Sequence, residues 1–377
     1  MRVLILTSAF YPTIGGAETY AYNLVTGLIS KGMTAKVFTD TPSAPYGLPS
    51  SAVYQAKKYN IALNESHLIR WEQMYFSLLE DLMECIKSFK PHILHANSFE
   101  TSILATIANL QYGIPVISTF HEQKPETSPL GIGKARFIFK NPSMDVIAGS
   151  KFYLEKGLSH GCEPSKIHLI YHGIDTNLFS PKKLSHFKYR QRWGVPKHET
   201  VFLCPARISP RKGQLDLVKA FKNSSAKKSH LILAGTCSSG SIEYFNAIKE
   251  EIDGNTNIIF DHQITLEEMP EVYQNVDIVV QPSHEEGLGL AVIEGLSSGL
   301  LVVASSVTGI TEILNDDIGI MLPAGDIDSW SKSILEISKN KEKYSSMREA
   351  GRKMVLETFS IDTMISETIK LYSEIIQ

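Results

Sequence analysis

Short apolar runs alternate along the chain with longer stretches in which apolar side chains recur every three or four positions. The first run, residues 3–7, is followed by a glycine-containing loop and a periodic stretch over residues 18–31. A short apolar run predicts a buried strand, and the periodic stretch predicts a helix that packs on it. The alternation continues to about residue 148. It predicts βαβ units in a parallel sheet with helices on both faces.

The same pattern restarts in the second half after a break at residues 176–198, which contain two prolines and six basic side chains. The strands predicted for the first half lie at 3–7, 35–38, 92–96, 116–119 and 146–148, and its clearest helices at 18–31 and 71–89. The strands predicted for the second half lie at 201–205, 231–234, 257–260, 278–281 and 302–305, with helices at 214–222, 242–252, 266–272 and 291–296.

This pattern predicts an α/β protein with two Rossmann-like, doubly wound domains. We expect an N-terminal domain at residues 1–180, a linker at 181–198 and a C-terminal domain at 199–359. A final helix at 360–377 is expected to pack back on the N-terminal domain. Because ligands bind beyond the carboxyl ends of such strands, two facing domains would share an interdomain cleft.

Charge and composition exclude several classes of protein. The chain has 377 residues, with 37 basic and 40 acidic side chains, so no overall positive field attracts nucleic acid. Its N-terminal apolar run is too short for a signal peptide or a spanning helix, and no apolar run reaches 18 residues. The four cysteines are scattered, which is typical of thiols in a reducing compartment. We expect a cytoplasmic protein.

The first candidate site is the loop before the first helix, which contains Gly15, Gly16 and Glu18. Adjacent glycines let the backbone approach a ligand closely, and the N-terminus of the following helix favours an anion. The alternative is a plain turn in which Glu18 complements the helix dipole. The dinucleotide fingerprint G-x-G-x-x-G is absent from this loop.

The second candidate site follows the first strand of the second half. Arg207 leaves the end of that strand, and Lys212 lies just before the next helix. A guanidinium fork and an ammonium point charge can bind one phosphate group together. A solvated basic loop is the alternative, and the position at a strand end favours phosphate binding.

The third candidate site contains two glutamates, Glu286 and Glu294, separated by seven residues that include Gly287 and Gly289. One carboxylate would lie in a strand-to-helix loop and the other about two turns along the helix. Carboxylates accept hydrogen bonds from sugar or ribose hydroxyls. The alternative is a pair of helix-end charges exposed to water.

Together these segments resemble the retaining glycosyltransferases of family 4, which have the GT-B fold. The resemblance rests on the E-x7-E motif from Glu286 to Glu294, on Arg207 with Lys212, and on the loop with Gly15 and Gly16. Ser150 and the segments 173–175 and 308–312 follow the family's order and spacing. The resemblance covers nearly the whole chain.

The resemblance implies a role for each of these residues. Arg207 and Lys212 would hold the diphosphate of a nucleotide-sugar donor and stabilise the charge that develops as it leaves. Glu294 would bind the ribose hydroxyls, and Glu286 would bind hydroxyls of the transferred sugar. The resemblance further implies that the backbone contacts the nucleotide-sugar donor at Gly15, Gly16, Gly287, Leu288 and Gly289.

His121 follows a strand and matches the family's histidine near the reacting sugar, although a solvated loop histidine is the alternative. Some positions depart from the family pattern. Leu288 stands where Phe is common, and His172 replaces the usual Asn before a Gly-Ile-Asp turn. The change at Leu288 alters packing, and the sequence assigns no consequence to the change at His172.

Two other features are set aside. His92 and His95 have a spacing that suggests a metal, but on a strand they would point to opposite faces. The family needs neither a metal nor another cofactor, so we expect none. The basic linker and residues 131–140 could touch an anionic membrane. An exposed linker and a short surface helix are the favoured interpretation, and a peripheral position at the inner face of the membrane stays open.

We therefore expect a retaining transferase that moves a hexose or N-acetylhexosamine from a nucleotide diphosphate sugar to an acceptor hydroxyl. UDP is the first choice of nucleotide, and GDP-mannose is the second choice of donor. A related epimerase or phosphorylase is one alternative, and a non-catalytic protein that binds nucleotide sugars is another. The acceptor and the oligomeric state are not determined by the sequence.

Overall fold

The computed structural model divides into two compact units. It describes residues 1–8, 10, 16–39, 48–55, 67–121, 129–181, 187–237 and 239–376. Unit 1 contains residues 1–173 and 361–377, and unit 2 contains residues 174–360. No helix within these described ranges is both long enough and apolar enough to span a bilayer.

Unit 1 is built on a seven-stranded parallel sheet with the order β3-β2-β1-β4-β5-β6-β7. Its strands are β1 Arg2–Leu6, β2 Thr34–Thr39, β3 Val53–Gln55, β4 Ile93–Ala96, β5 Val116–Phe120, β6 Met144–Ala148 and β7 Ile167–Leu169. Its helices before the second unit are α1 Gly16–Ser30, α2 His67–Phe89, α3 Phe99–Tyr112, α4 Pro129–Phe139 and α5 Lys151–Ser159. Strands β4, β5 and β6 are buried along their whole length, as expected for a sheet covered on both faces.

Unit 2 is built on a six-stranded parallel sheet with the order β10-β9-β8-β11-β12-β13. Its strands are β8 Thr200–Pro205, β9 Ser229–Ala234, β10 Ile258–Asp261, β11 Ile278–Gln281, β12 Leu301–Ser305 and β13 Ile320–Leu322. Its helices are α6 Lys188–Arg192, α7 Gln214–Ser224, α8 Ile242–Ile252, α9 Met269–Tyr273, α10 Leu290–Ser297, α11 Ile327–Lys339 and α12 Ser345–Thr358. The α/β, doubly wound prediction is therefore confirmed for both units.

Some element bounds differ from those predicted. Helix α9 begins at Met269, whereas the apolar pattern predicts a start at residue 266. Pro270 explains the difference, because proline has no N–H to donate and is favoured in the first turn of a helix. Strands β3, β7 and β13 have only three residues each. Such short runs carry no clear period in the sequence.

The buried guanidinium of Arg190 ties the segment before β8 to unit 2. Its Nε donates to the carbonyl oxygen of Asn275 at 2.9 Å, and its Nη2 donates to Asp277 Oδ2 at 2.7 Å. Its Nη1 donates to the carbonyl oxygen of Glu199 at 2.8 Å. These bonds satisfy a charge that would be costly to bury alone. The described residues of the predicted linker, 181 and 187–198, thus lie within unit 2.

The last helix, α13 Ile361–Ile376, belongs to unit 1 and packs against α1. Ile365 is fully buried in this contact. A Cβ atom built on Gly27 would lie 2.4 Å from Ile365 Cγ1. Glycine at this position therefore allows the two helices to approach closely.

Candidate functional site

The order of the strands brings two of the predicted motifs together in unit 2. The strand order of this sheet reverses between β8 and β11, which pair in parallel, and this position is the switch point of the sheet. The loop after β8 contains Arg207 and Lys212, and the loop after β11 contains Glu286. Both loops leave the carboxyl ends of neighbouring strands, which is where doubly wound sheets bind ligands. The Lys212 Nζ atom lies 2.5 Å from Glu286 Oε1.

Three donors converge on one oxygen of the Glu286 carboxylate. Besides Lys212, Gln281 Nε2 donates to Oε1 at 2.8 Å and Ser283 Oγ donates to it at 2.9 Å. Oε2 makes no hydrogen bond with any residue that the structure describes. The carboxylate is thus fixed through one oxygen, and its other oxygen is available to accept a hydrogen bond.

The charge on Glu286 is maintained in spite of its burial. The side chain is only 6% exposed. Burial alone would raise the pKa of Glu286, but the Lys212 ammonium and the donors from Ser283 and Gln281 lower it below its ordinary value. Glu286 is therefore an ionised acceptor at neutral pH, and we do not expect it to act as a proton donor.

Two glycines shape these loops, and one of them, Gly213, allows the loops to fold against each other. Gly213 has a φ of +69°, and a Cβ atom there would lie 2.1 Å from the carbonyl oxygen of Pro282. Gly289 has a φ of +84°, and a Cβ atom there would lie 2.5 Å from Ile310 Cδ1. Both positions therefore need a residue without a side chain. The glycine after Lys212 is a structural requirement of the site.

Arg207 has an exposed side chain and belongs to the same loop as Lys212. Its guanidinium makes no hydrogen bond or ion pair within the described part of the chain, whereas its carbonyl oxygen accepts from Gln214 Nε2 at 2.9 Å. Gln214 is fully buried, so this bond fixes the backbone at Arg207. The geometry thus offers a free cation on an anchored backbone, close in sequence to Lys212.

The second glutamate, Glu294, lies on α10, which begins directly after Gly289. The first N–H groups of a helix lack intrahelical acceptors, so the backbone of Leu290 and Ala291 can bind an anion. Leu288, in the loop before them, is buried and contributes packing. The Tyr273 hydroxyl donates to Glu294 Oε2 at 2.7 Å. Tyr273 is not predictable from the sequence, because nothing in the sequence pairs residues of α9 and α10.

Burial raises the pKa of Glu294 to about 7, and the hydrogen bond from Tyr273 only partly offsets this effect. The folded protein therefore binds this proton more tightly than the unfolded chain does. The stabilisation is fully present below the ordinary pKa of 4.5 and is lost as the pH rises through about 7.

We expect Glu294→Gln, which stays neutral, to be more stable than the wild type above pH 7 by on the order of 2–3 kcal/mol. The difference should shrink towards pH 4, where both side chains are neutral. Thermal unfolding of both proteins from pH 4 to pH 9 measures it. Parallel stability curves across this range would show that Glu294 has an ordinary pKa.

In unit 1, Gly16 is exposed and begins α1. Gly15 lies outside the described residues. His121 directly follows β5, and its Nε2 lies 2.7 Å from Asn97 Oδ1. Asn97 Nδ2 donates to the carbonyl oxygen of Ala17 at 2.9 Å, which fixes the orientation of the amide. Because an amide oxygen only accepts, Nε2 of His121 carries the proton and Nδ1 of the neutral ring is an acceptor.

His121 belongs to a cluster of aromatic and imidazole rings. The His172 ring centroid lies 5.1 Å from that of His121 and 4.5 Å from that of Tyr20. Burial, followed by the neighbouring His172 and His95, lowers the pKa of His121 well below its ordinary value. A pocket of about 200 Å³ lies beside His121, lined in part by Asn97. The histidine at position 172 is thus a buried packing residue of unit 1.

His92 and His95 make separate hydrogen bonds. His95 is buried. Its Nδ1 atom lies 2.5 Å from the Tyr372 hydroxyl, and its Nε2 atom lies 2.7 Å from Thr119 Oγ1. His92 Nδ1 accepts from the backbone N–H of Arg2 at 2.9 Å. In the part of the chain that the structure describes, no group of three or more His, Cys, Asp or Glu side chains could hold a metal ion.

The structure adds residues that the sequence motifs do not mark. Gln281 and Ser283 hold Glu286 in unit 2, and Asn97 holds His121 in unit 1. Gln281 ends a strand that the apolar pattern does predict. It lies five residues before Glu286, which could have suggested contact between the two side chains. An amide has no charge that marks it in a sequence.

Comparisons with known proteins identify the same two halves. The family model "Glycosyltransferase Family 4" matches residues 14–178, and the model "Glycosyl transferases group 1" matches residues 185–354. Together these matches span most of the chain.

Full-length relatives and a solved structure agree with these matches. An uncharacterized glycosyltransferase of Methanocaldococcus jannaschii is 24% identical over 99% of this chain and 98% of its own length. The D-inositol 3-phosphate glycosyltransferase of Segniliparus rotundus is 23% identical over 89% of this chain and 80% of its own length. The crystal structure of Anabaena HepE in complex with UDP and glucose superposes with a TM-score of 0.82, at 20% identity, covering 99% of this chain and 100% of that one. The chain therefore belongs to the glycosyltransferases of group 1 and family 4, and its fold is GT-B.

Proposed function

We propose that this glycosyltransferase moves a hexose or N-acetylhexosamine from a nucleotide diphosphate sugar to an acceptor hydroxyl, with retention at the anomeric carbon. The observation that carries the proposal is the carboxyl end of the unit 2 sheet, where Lys212 is bonded to Glu286. The loop that holds Lys212 also carries Arg207, whose exposed side chain has no partner among the described residues. Cations beside a fixed carboxylate suit a ligand that combines phosphate groups with hydroxyl groups.

Arg207 and Lys212 bind the diphosphate in this proposal. As the bond to the sugar breaks, negative charge grows on the departing phosphate oxygen, and fixed cations stabilise that charge. The N-terminus of α10 adds backbone N–H groups directed at an anion. Side chains and helix dipole together supply positive charge, so we propose that transfer needs no metal or other cofactor.

The two glutamates bind different parts of the donor. Glu294 accepts from the ribose hydroxyls, and Oε2 of Glu286 accepts from a hydroxyl of the transferred sugar. The donors on Oε1 hold the Glu286 carboxylate in one orientation, so the sugar would meet a preorganised acceptor. His121 offers an accepting Nδ1 atom to the reacting sugar. Retention is proposed to follow a front-face route, in which the departing phosphate takes the acceptor's proton.

UDP is the nucleotide that we propose first, and GDP-mannose is the second choice of donor. HepE, which has the same fold, has been crystallised with UDP and glucose. The experiment is a thermal-shift panel of UDP, GDP, ADP and CDP with the full chain. A ligand that binds only the folded protein raises its stability by about 2.7 kcal/mol at a hundred times its Kd. Failure of every nucleotide to raise the Tm would contradict the proposal.

Replacing Glu294 tests the ribose contact separately. We expect Glu294→Ala to weaken binding of the preferred nucleoside diphosphate about tenfold, as for one lost hydrogen bond to a buried group. Its effect should appear in KM more than in kcat, because ribose contacts are the same in the ground and transition states. Calorimetry measures the Kd, and Glu285→Ala serves as the control. Unchanged affinity in Glu294→Ala would remove the residue from the nucleotide site.

A further inference from the structure

The ion pair between Lys212 and Glu286 would affect the binding of the nucleoside diphosphate product as well as of the donor. Lys212 is 15% exposed and Glu286 is 6% exposed, so solvent screens their charges only weakly. The 2.5 Å contact places the carboxylate directly on the ammonium that is proposed to hold the diphosphate. A phosphate that binds Lys212 therefore shares that ammonium with a second anion.

The transfer reaction changes the charge on the phosphate side. The bond between the anomeric carbon and the terminal phosphate oxygen breaks, and that oxygen keeps the electron pair. The acceptor oxygen forms the new bond to carbon and gives its proton to the released phosphate, which passes it to solvent. At neutral pH the released nucleoside diphosphate consequently carries more negative charge than the donor did. Cations that stabilise the departing group also hold the product more tightly.

We propose that Glu286 has a second role, in which its charge weakens the hold of Lys212 on the nucleoside diphosphate and so promotes product release. This inference rests on the proposed function, because it takes the diphosphate to be the ligand of Lys212. The donors from Gln281 and Ser283 on Oε1 keep the carboxylate beside Lys212. Ser283 and Gln281 therefore act as positioning residues for this effect.

Removing the charge of Glu286 should strengthen nucleotide binding, although the residue lies inside the binding site. Glu286→Gln removes the negative charge but keeps an oxygen that can accept from Lys212, Gln281 and Ser283. We expect it to bind the nucleoside diphosphate on the order of tenfold more tightly than the wild type, from the loss of one nearby like charge. Turnover of the donor should fall, because the sugar loses its charged acceptor.

The test is calorimetry of UDP and GDP with four full-length proteins at one ionic strength. These are the wild type, Glu286→Gln, Glu286→Asp and Glu285→Gln. Glu285→Gln removes a charge at the preceding position and should bind within about twofold of the wild type. Glu286→Asp keeps the negative charge, so it should not show the tighter binding of Glu286→Gln. Circular dichroism checks that each variant is folded. A double variant, Lys212→Met with Glu286→Gln, should lose most of the gain.

The outcomes separate the inference from the proposed function. If Glu286→Gln binds the nucleotide more tightly and the control variants do not, the result supports both the proposed function and the second role of Glu286. Equal or weaker binding by Glu286→Gln, with UDP or GDP still binding the wild type, overturns the second role of Glu286 and leaves the proposed function standing. If neither nucleotide binds the wild type, the proposed function fails and the inference fails with it.

Discussion

Lys212→Ala is expected to lower kcat/KM for the nucleotide-sugar donor by roughly 10²–10³-fold, the usual cost of losing one charge-stabilising donor. Lys212 forms the ion pair with Glu286 at the switch point of the unit 2 sheet. In the proposed mechanism, its removal takes a positive charge from the place where negative charge develops in the transition state. Steady-state kinetics with the preferred donor measures the change.

Lys212→Ala also leaves the buried Glu286 carboxylate without its cation, which can destabilise the fold by itself. The matched control is Arg207→Ala, because the exposed Arg207 guanidinium has no partner among the described residues and its loss should not affect folding. A similar fall in kcat/KM for Arg207→Ala, at an unchanged Tm, would assign both effects to the diphosphate. Near-normal turnover in a folded Lys212→Ala protein contradicts the assignment.

Glu286→Ala should reduce turnover of bound donor on the order of 10²-fold, because misplacing the anomeric carbon by about 1 Å costs that much. The carboxylate is fixed by Gln281 and Ser283, so its removal would delete the preorganised contact that we propose for the sugar. Glu286→Gln should lie between the wild type and Glu286→Ala, since it keeps a hydrogen-bonding group. Saturating donor concentrations separate this loss in kcat from any change in binding.

The matched control for Glu286→Ala is Ser283→Ala, which removes one donor from Oε1 but leaves the carboxylate and Lys212 in place. Its effect on kcat should be much smaller. If Glu286→Ala retained normal kcat and lost affinity for the free nucleoside diphosphate, Glu286 would be a nucleotide ligand. The proposed division of work between Glu286 and Glu294 would then be wrong.

The apolar pattern was sufficient to predict the long buried strands, because parallel strands covered on both faces are nearly continuous apolar runs. Strand β11, Ile278–Gln281, has the bounds that the pattern predicts. The three-residue strands β3, β7 and β13 could not be predicted in the same way. They are recognised by their backbone pairing to a neighbouring strand, which depends on residues distant in the sequence.

Residues of the candidate site were predictable where a charge or a glycine marks them. Lys212 and Glu286 stand out as charged residues at strand ends, and the bond between them follows from the adjacency of β8 and β11. Gln281, Tyr273 and Asn97 are neutral at ordinary pH, so no charge marks them in the sequence. Tyr273 also lies on α9, which the sequence does not place beside α10. The raised pKa of Glu294 was not predictable either, since it depends on burial.

The most direct test of the central claim is the release of nucleoside diphosphate from UDP-glucose, UDP-N-acetylglucosamine and GDP-mannose, followed by mass spectrometry without added acceptor. The slow transfer to water requires the same diphosphate site as transfer to an acceptor hydroxyl. We expect the wild type to release the nucleotide from at least one of these donors, and Lys212→Ala and Arg207→Ala to release it at least 10²-fold more slowly. Equal release by the wild type and both variants, or no release from any donor, would contradict the account.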